Sequence, residues 1–245
     1  MRKWGIYHSL EEVLQVFRSE ELASIPEVQE AVTLFLKGYD PEKKLSELHN
    51  RHPLIVVEGL DASGKTTVTH LLSKRLGGVK MSTPGPQFAA LRPFFDQQPN
   101  HIRRAYYSLT NYAAALEINE LLEEKPVILD RFWHSTAAYA LAGEVDDVAM
   151  LPPAGDQIYQ WPKDLKPYPE KVIFLQVTEA ERMKRISRRQ TATAEEDRLA
   201  KEANFRKVIN EAYRRMYEPQ ILEVDSTRPV KHVVNEIFDI VSKAK

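Results

Sequence analysis

One short run of the sequence, from Gly59 to Thr66, has the spacing G-x-x-x-x-G-K-[ST]. The two glycines, Gly59 and Gly64, let the backbone curl so that several N–H groups face one anion. A helix that begins there adds the positive end of its dipole. Lys65 can bind β- and γ-phosphates and Thr66 can bind Mg²⁺. The alternative is a glycine-containing turn with a surface lysine. The pattern instead predicts an ATP site, with contacts from Gly59, Ala62, Ser63, Gly64, Lys65, Thr66 and Thr67.

A second pair of chemically suggestive residues, Asp130 and Arg131, ends an apolar run that begins at Pro126. The carboxyl edge of a parallel sheet is where ligands bind, so the Asp130 carboxylate is expected to face Thr66 and hold Mg²⁺ with it. Arg131 can clamp a phosphate through a two-pronged hydrogen bond. The alternative is a simple ion pair at the end of the strand.

The third cluster is basic and lies between Glu181 and Arg189. Arg185, Arg188 and Arg189 have i, i+3 and i+4 spacing, so a helix presents them on one face. Several guanidinium groups on one mobile arm suit closure over a transferring phosphoryl group, because they neutralise its growing charge. We predict a lid at about residues 182–197; the alternative is a solvated basic helix balanced by the acidic residues that follow.

These residues need a scaffold, and strand-like and helical patterns alternate along the chain. Alternation of this kind predicts an α/β fold with a parallel sheet flanked by helices, here of the P-loop type. Residues 1–50 read as a helical N-terminal extension, and residues 51–245 as the P-loop domain. The predicted strands are Leu54–Val57, Pro126–Asp130, Lys171–Val177 and Ile221–Asp225. The predicted helices of the main domain are Lys65–Leu76, Ile102–Glu124, Thr178–Arg189 and Glu195–Tyr217.

Composition excludes several classes of protein. The 245 residues include no cysteine, which rules out disulfide scaffolds, zinc–thiolate sites and cysteine nucleophiles. The net charge of -1 argues against a general nucleic-acid binder. No apolar run approaches the ~18 residues of a membrane-spanning helix, and the N-terminus lacks the pattern of a secretory or transit peptide, although a presequence could have been removed. A switch GTPase needs an Asn-Lys-x-Asp tetrapeptide, which this chain lacks; a small kinase remains.

Two longer runs of the sequence, around the phosphate loop and around Asp130, resemble a known family. The runs LIVVEGLDASGKTT (54–67) and DRFWHSTAAY (130–139) are similar to the thymidylate kinase family, and the resemblance covers about residues 53–245. Within that family the chain most resembles the mitochondrial UMP–CMP kinase 2 branch. The resemblance implies transfer of the γ-phosphoryl group of ATP to a pyrimidine nucleoside monophosphate, a homodimer, and a mitochondrial location.

The resemblance also implies roles for individual residues. Asp61 would lie near the acceptor sugar, Arg131 would bind the acceptor phosphate, and Arg228 would lie with the ATP contacts. Family members with an arginine at the position of Ala62 lack lid arginines, so this chain resembles the type that uses the lid. The catalytic set would then be Lys65, Asp61, Arg131, Arg185, Arg188 and Arg189.

The resemblance also implies a pocket for the acceptor nucleotide, in which some roles have more than one candidate residue. Tyr107 falls where an aromatic ring stacks on the pyrimidine, and Asn111 falls where thymidylate enzymes usually carry an arginine. Because an amide both donates and accepts, Asn111 favours uracil or cytosine; alternatively both are ordinary helix residues. Tyr139 and Ser135 would line the sugar wall. A second phosphate clamp is expected from Arg92, with Arg103 and Arg104 competing for the role.

Two other functions remain open from the sequence alone. One is a thymidylate kinase proper, which converts dTMP to dTDP. The other is a nucleotide-binding regulatory module without turnover.

Overall fold

The computed structural model describes residues 4–40, 51–188 and 202–243, and its centre is a parallel five-stranded sheet. The strands lie in the order β2-β3-β1-β4-β5, so the chain crosses over the sheet between neighbours. The sheet confirms the predicted α/β class. The strands are β1 Leu54–Gly59, β2 Val79–Ser82, β3 Val127–Asp130, β4 Lys171–Gln176 and β5 Ile221–Asp225.

Strand β2 is absent from the sequence prediction, and its environment explains why. The central strands β1 and β3 are buried along their whole length, and they read as continuous apolar runs. Strand β2 lies at the sheet edge, where it alternates between half-buried Val79 and Met81 and exposed Lys80 and Ser82. A four-residue strand with polar alternate positions gives only a weak signal.

Helices cover both faces of the sheet. Three helices were not predicted: α4 (Arg92–Asp96), α6 (Trp133–Ala142) and α9 (Val230–Ser242). Of the predicted helices, α5 (Asn100–Leu121) begins and ends earlier than expected, and α7 (Glu179–Ile186) ends before the predicted Arg189. Helix α8 spans Ala203–Arg215, and the part of its prediction over residues 195–201 lies outside the described residues. The proline-rich run from Leu151 to Pro169, whose composition predicts an irregular loop, is irregular apart from a short 3-10 turn at Gln157–Tyr159. The helices are α1 Leu10–Phe17, α2 Pro26–Leu36, α3 Lys65–Leu76, α4 Arg92–Asp96, α5 Asn100–Leu121, α6 Trp133–Ala142, α7 Glu179–Ile186, α8 Ala203–Arg215 and α9 Val230–Ser242.

The first helix begins with the capping box that the run Ser9-Leu10-Glu11-Glu12 predicts. Ser9 Oγ accepts a hydrogen bond from the N–H of Glu12 at 3.2 Å, and the Glu12 carboxylate accepts one from the N–H of His8 at 2.7 Å. These bonds satisfy donors that a helix start otherwise leaves open. The pair Asp40-Pro41 predicts the start of a third, shorter helix, and that helix lies outside the described residues.

The N-terminal helices pack against α5 and join the hydrophobic core of the sheet domain. Val13, Phe17 and Phe35 are buried in the same cluster as the apolar residues of α5. Asp164 reinforces the contact, since its carboxylate accepts from the backbone N–H of Leu10 at 2.7 Å and from the hydroxyl of Tyr112 at 2.5 Å. The N-terminal helices therefore support the helix that carries Tyr107 and Asn111.

Truncation of Phe17, which is 2% exposed and stands edge-on to Phe95, should show how closely the N-terminal helices are coupled to the core. We expect Phe17→Ala to lower the free energy of unfolding by about 3–5 kcal/mol, because the substitution leaves a cavity in a shared core. Urea denaturation followed by circular dichroism measures this, and one transition is expected. Gln15→Ala, on the exposed side of the same helix, is the control. A separate early transition for the variant would contradict the shared core.

Candidate active site

The loop after β1 has the backbone geometry that its glycines predict. Gly59 and Gly64 have φ angles of 147° and 97°, which residues that carry a side chain rarely adopt. A Cβ atom at Gly59 would lie 2.7 Å from Ser63 Oγ and 2.9 Å from the carbonyl oxygen of Leu175, so there is no room for one. Ala62 is also left-handed, with φ 59°. The loop therefore curls tightly before α3 begins at Lys65.

Lys65 is buried at the start of α3, with its ammonium group inside the loop. Its Nζ atom donates to the carbonyl oxygens of Leu60 at 2.8 Å and Gly59 at 3.1 Å. Burial lowers the pKa of Lys65 to about 8, because removal from water disfavours the charged form. A phosphate group beside the ammonium would favour the charged form again.

Thr66 and Asp130, the two predicted metal ligands, are in contact. The Thr66 hydroxyl donates to Asp130 Oδ2 at 2.9 Å, which brings the end of β3 to the first turn of α3. A hydroxyl and a carboxylate side by side are hard oxygen ligands, and Mg²⁺ is usually held by one or two carboxylates, waters and phosphate oxygens. The residues present therefore fit the predicted ion.

Arg131 follows Asp130 in a left-handed conformation, with φ 69°, which is rare for a non-glycine residue. Its N–H donates to the carbonyl oxygen of Val57 at 3.1 Å, and its own carbonyl oxygen accepts from the Thr83 hydroxyl at 2.9 Å. The guanidinium donates to Asp61 at 2.8 Å and lies 5.3 Å from the centre of the Tyr139 ring. This turn therefore holds a cation beside the phosphate loop.

The loop, the Asp130–Arg131 turn and the acceptor-side residues open onto one cavity of 340 Å³. It combines anion-binding groups with aromatic side chains, as a nucleotide requires. The predicted residues that line it are Asp61, Ala62, Gly64, Lys65, Thr66, Arg92, Tyr107, Asp130, Arg131, Ser135 and Tyr139. The remaining lining residues are Ser82, Thr83, Pro84, Arg104 and Thr136.

In the part of the cavity that the sequence predicts to bind the acceptor, acidic and basic groups hold an aromatic wall in place. The Tyr107 hydroxyl donates to Asp96 at 2.7 Å, and Arg92 forms an ion pair with the same carboxylate at 3.2 Å. Arg104 is buried, donates to Asn100 at 3.2 Å, and its guanidinium lies 5.5 Å from the centre of the Tyr107 ring. Of the two competitors named for the second clamp, Arg104 is therefore the one at the cavity, together with Arg92.

Asn111 does not line the cavity but lies directly behind it. Its side chain is 1% exposed, and its Nδ2 atom donates to the hydroxyl of Thr136 at 3.1 Å. Thr136, which sequence reasoning did not single out, is the residue of this pair on the cavity wall.

The predicted lid arginines are described only in part. Arg185 extends from α7 to the phosphate loop, where it donates to the carbonyl oxygens of Ala62 and Ser63 at 3.3 and 3.2 Å. Arg188 is exposed one turn further on, and Arg189 lies outside the described residues, as does most of the predicted lid. Arg182 points the other way; it is fully buried and paired with Glu179 at 2.8 Å.

Four other predicted contacts lie away from the cavity wall. Gly59 and Ser63 shape the loop from behind, and Thr67 is exposed on α3. Arg228 is on the surface after β5, where it pairs with Glu236 and Asp225.

Glu58 is a functional candidate that sequence reasoning missed. It is completely buried, and burial raises the pKa of its carboxyl to about 7. Its oxygens accept from the N–H groups of Phe132 and Ser135 at 2.8 and 3.3 Å and from the hydroxyl of Tyr213 at 2.9 Å. The available signal was an acidic residue within an otherwise apolar strand, since buried charges need a specific reason.

His134, beside the Asp130–Arg131 motif, is buried against Trp133 and Trp161. Burial lowers the pKa of its imidazole to about 3, so the ring is neutral. The sequence favours a structural role for His134, because the histidines show no metal-ligand spacing, and its packing agrees with that role.

Comparison with known proteins identifies the family. A family model described as thymidylate kinase matches residues 57–237. The mitochondrial UMP-CMP kinase 2 of Homo sapiens is 39% identical over 193 residues, covering 78% of this chain; the chain spans only 43% of that relative's length. A thymidylate kinase of Legionella pneumophila is 26% identical over 208 residues, covering 78% of this chain and 94% of that protein.

Solved structures share the fold. A thymidylate kinase from Candida albicans superposes with a TM-score of 0.59 at 21% identity, covering 79% of this chain and 92% of that one. A deoxyadenosine kinase from M. mycoides gives a TM-score of 0.55 at 17% identity, covering 77% and 98%. Because the family model spans most of the chain and includes the phosphate loop and the Asp130–Arg131 turn, this protein belongs to the thymidylate kinase family.

Proposed function

We propose that this protein transfers the γ-phosphoryl group of ATP to a pyrimidine nucleoside monophosphate, with UMP, CMP and their deoxy forms as acceptors. One observation carries the proposal. The phosphate loop and a wall made of arginines and tyrosines face each other across a single cavity, so a triphosphate and a monophosphate could meet there.

On the donor side, the loop binds the triphosphate of ATP. Backbone N–H groups of the curled loop and the start of α3 bind its oxygens, and Lys65 adds a charge at the β- and γ-phosphates. Thr66 and Asp130 would hold Mg²⁺, which neutralises charge on the phosphate oxygens when bound.

On the acceptor side, Arg131 binds the acceptor phosphate, and Arg92 or Arg104 gives it a second cation. Asp61, which accepts from Arg131 at 2.8 Å, orients that guanidinium and lies on the side of the acceptor sugar. The Tyr107 ring offers a face on which a flat pyrimidine can stack. Tyr139 and Ser135 form the wall next to the sugar.

Transfer needs no nucleophilic side chain, because the attacking atom is an oxygen of the acceptor phosphate. Positioning and charge stabilisation carry this type of reaction. Arg185 already contacts the loop carbonyls of Ala62 and Ser63, so its guanidinium is next to the place where charge spreads during transfer. Arg188 and Arg189 would add charge as the lid closes over the two nucleotides.

The pair formed by Asn111 and Thr136 bears on which base the acceptor carries. Thr136 lines the cavity, and Asn111 behind it donates to the Thr136 hydroxyl at 3.1 Å, so this part of the wall is built from small polar groups rather than from a cation. This pair and the likeness to the human UMP-CMP kinase favour uracil and cytosine. Thymidylate is the second candidate, since other relatives are thymidylate kinases.

Location and assembly are proposed by similarity. The human relative is named as mitochondrial, and we propose the same compartment for this protein. A homodimer remains a prediction. Within the part of the chain that the structure describes, no helix combines the length and apolar character needed to cross a membrane.

Replacement of Lys65 tests the donor side. We expect Lys65→Ala to lower kcat/KM by about 100- to 1000-fold, because it removes the main charge inside the loop. Coupled ADP-release assays measure it, with Lys74→Ala on the last turn of the same helix as the control. Wild-type turnover in the Lys65 variant would contradict the assigned loop.

Replacement of Arg185 tests the lid. We expect Arg185→Ala to lower kcat on the order of 100-fold while the acceptor KM changes much less, because its charge acts in the transition state. Lys184→Ala is the matched control: the side chain is exposed on the same helix and pairs with Glu181 at 3.8 Å. A loss confined to acceptor affinity would contradict the lid role.

Acceptor ranking tests the substrate. With ATP fixed, ADP release is measured with CMP, UMP, dCMP, dUMP and dTMP. We expect the highest kcat/KM for a uracil or cytosine nucleotide. Preference for dTMP would favour the thymidylate kinase, and ATP binding without ADP release for any acceptor would favour a regulatory module.

A further inference from the structure

We propose that Glu58 is the positioning residue of the acceptor site: it holds the start of α6, and through it Arg131, in the conformation that binds the acceptor phosphate. This inference rests on the proposed role of Arg131. It concerns a residue that the transfer step itself does not use.

The start of α6 has no cap of its own. Phe132 is the residue before the helix, and no side chain of the local sequence accepts from the free N–H groups of the first turn. Unpaired donors at a buried helix start are costly, so an acceptor must come from elsewhere. Glu58 Oε1 supplies it from the neighbouring strand β1, accepting from Phe132 at 2.8 Å and from Ser135 at 3.3 Å.

The same bonds fix the backbone around Arg131. Arg131 is left-handed, a conformation that persists only when its surroundings determine it. Its own N–H and carbonyl are bound by Val57 and Thr83, and the next N–H along the chain, that of Phe132, is bound by Glu58. Glu58 therefore completes the set of contacts that keeps the Arg131 guanidinium directed at the cavity.

A third bond sets the orientation of the carboxylate. The hydroxyl of Tyr213, on α8, donates to Glu58 Oε2 at 2.9 Å, and the Tyr213 ring packs 4.3 Å from the ring of Phe174. With Oε2 occupied in this way, Oε1 faces the two backbone donors. Helix α6 also carries Ser135, Thr136 and Tyr139 of the cavity wall, so a shift at its start would move the whole acceptor side.

This arrangement predicts a difference between two conservative variants. Glu58→Gln keeps an oxygen at the length of the native one and can donate to Tyr213 in return, so acceptor binding should stay within about threefold of wild type. Glu58→Asp keeps the charge but withdraws the oxygen from the helix start, so the acceptor KM should rise about tenfold, as expected for loss of a helix cap. The KM for ATP should stay within about twofold in both.

Glu170 provides a matched control at the opposite end of the same strand. Its carboxylate accepts from the N–H of Leu54 at 2.6 Å, far along β1 from the cavity. Glu170→Asp should lower Tm without changing either KM. If weakening β1 in general raised the acceptor KM, this variant would do so as well, and the inference would be wrong.

A double-mutant cycle then asks whether Glu58 acts through Arg131. We expect Glu58→Asp to lower acceptor kcat/KM much less in an Arg131→Ala background than in the wild type, because the positioned group is gone. Additive losses would contradict the inference. Should Glu58→Asp fail to fold, Tyr213→Phe should raise the acceptor KM by a smaller factor with ATP KM unchanged, and an equal change in both constants would overturn the inference.

Two variants distinguish a failure of the Arg131 clamp from a failure of the positioning role of Glu58. If Arg131→Ala leaves the acceptor KM unchanged, the proposed clamp is wrong whatever Glu58 does. If Arg131→Ala raises it and Glu58→Asp does not, only the positioning role of Glu58 is wrong.

Discussion

The proposed site depends on one electrostatic constraint: a site for a triphosphate and a second phosphate must concentrate positive charge while limiting the repulsion between its cations. The fold satisfies this constraint with backbone dipoles of fixed orientation and with acidic side chains placed next to the cations. Loop N–H groups and the start of α3 supply partial charge, Lys65 is held by two carbonyl oxygens, and Arg131 is paired with Asp61. The parallel sheet matters because it delivers the ends of β1 and β3 to the same edge.

The same reasoning explains why the acceptor side depends on groups far from it in sequence. Arg131 is held in a strained conformation by Val57 and Thr83, from two other strands or their ends. Helix α5 carries Tyr107 and is packed on its far side by the N-terminal helices, with Asp164 bonded to both. Rigid support of this kind keeps catalytic groups within the small tolerance that phosphoryl transfer requires.

The geometry of the phosphate loop could be predicted from the sequence because its determinants are local. A glycine-rich loop, a lysine and a threonine lie within eight positions, and each has a specific physical reason to be there. The acceptor side is different, since its wall is assembled from β2, α5 and α6. Asn111 was expected at the cavity from the resemblance to the family, yet the side chain that faces the cavity is Thr136, and only packing decides between them. The sequence signal for Glu58 was limited to an acid within an apolar strand, because its partners are two backbone N–H groups and a tyrosine hydroxyl from a distant helix.

The central claim is that the loop binds the triphosphate of ATP so that its terminal phosphate faces the acceptor phosphate held by Arg131. A crystal structure with a non-hydrolysable ATP analogue, Mg²⁺ and CMP tests it most directly. The account predicts the γ-phosphate against the loop amides and Lys65, within reach of a CMP phosphate oxygen bound to Arg131. An empty loop, or a terminal phosphate directed away from CMP, would contradict it.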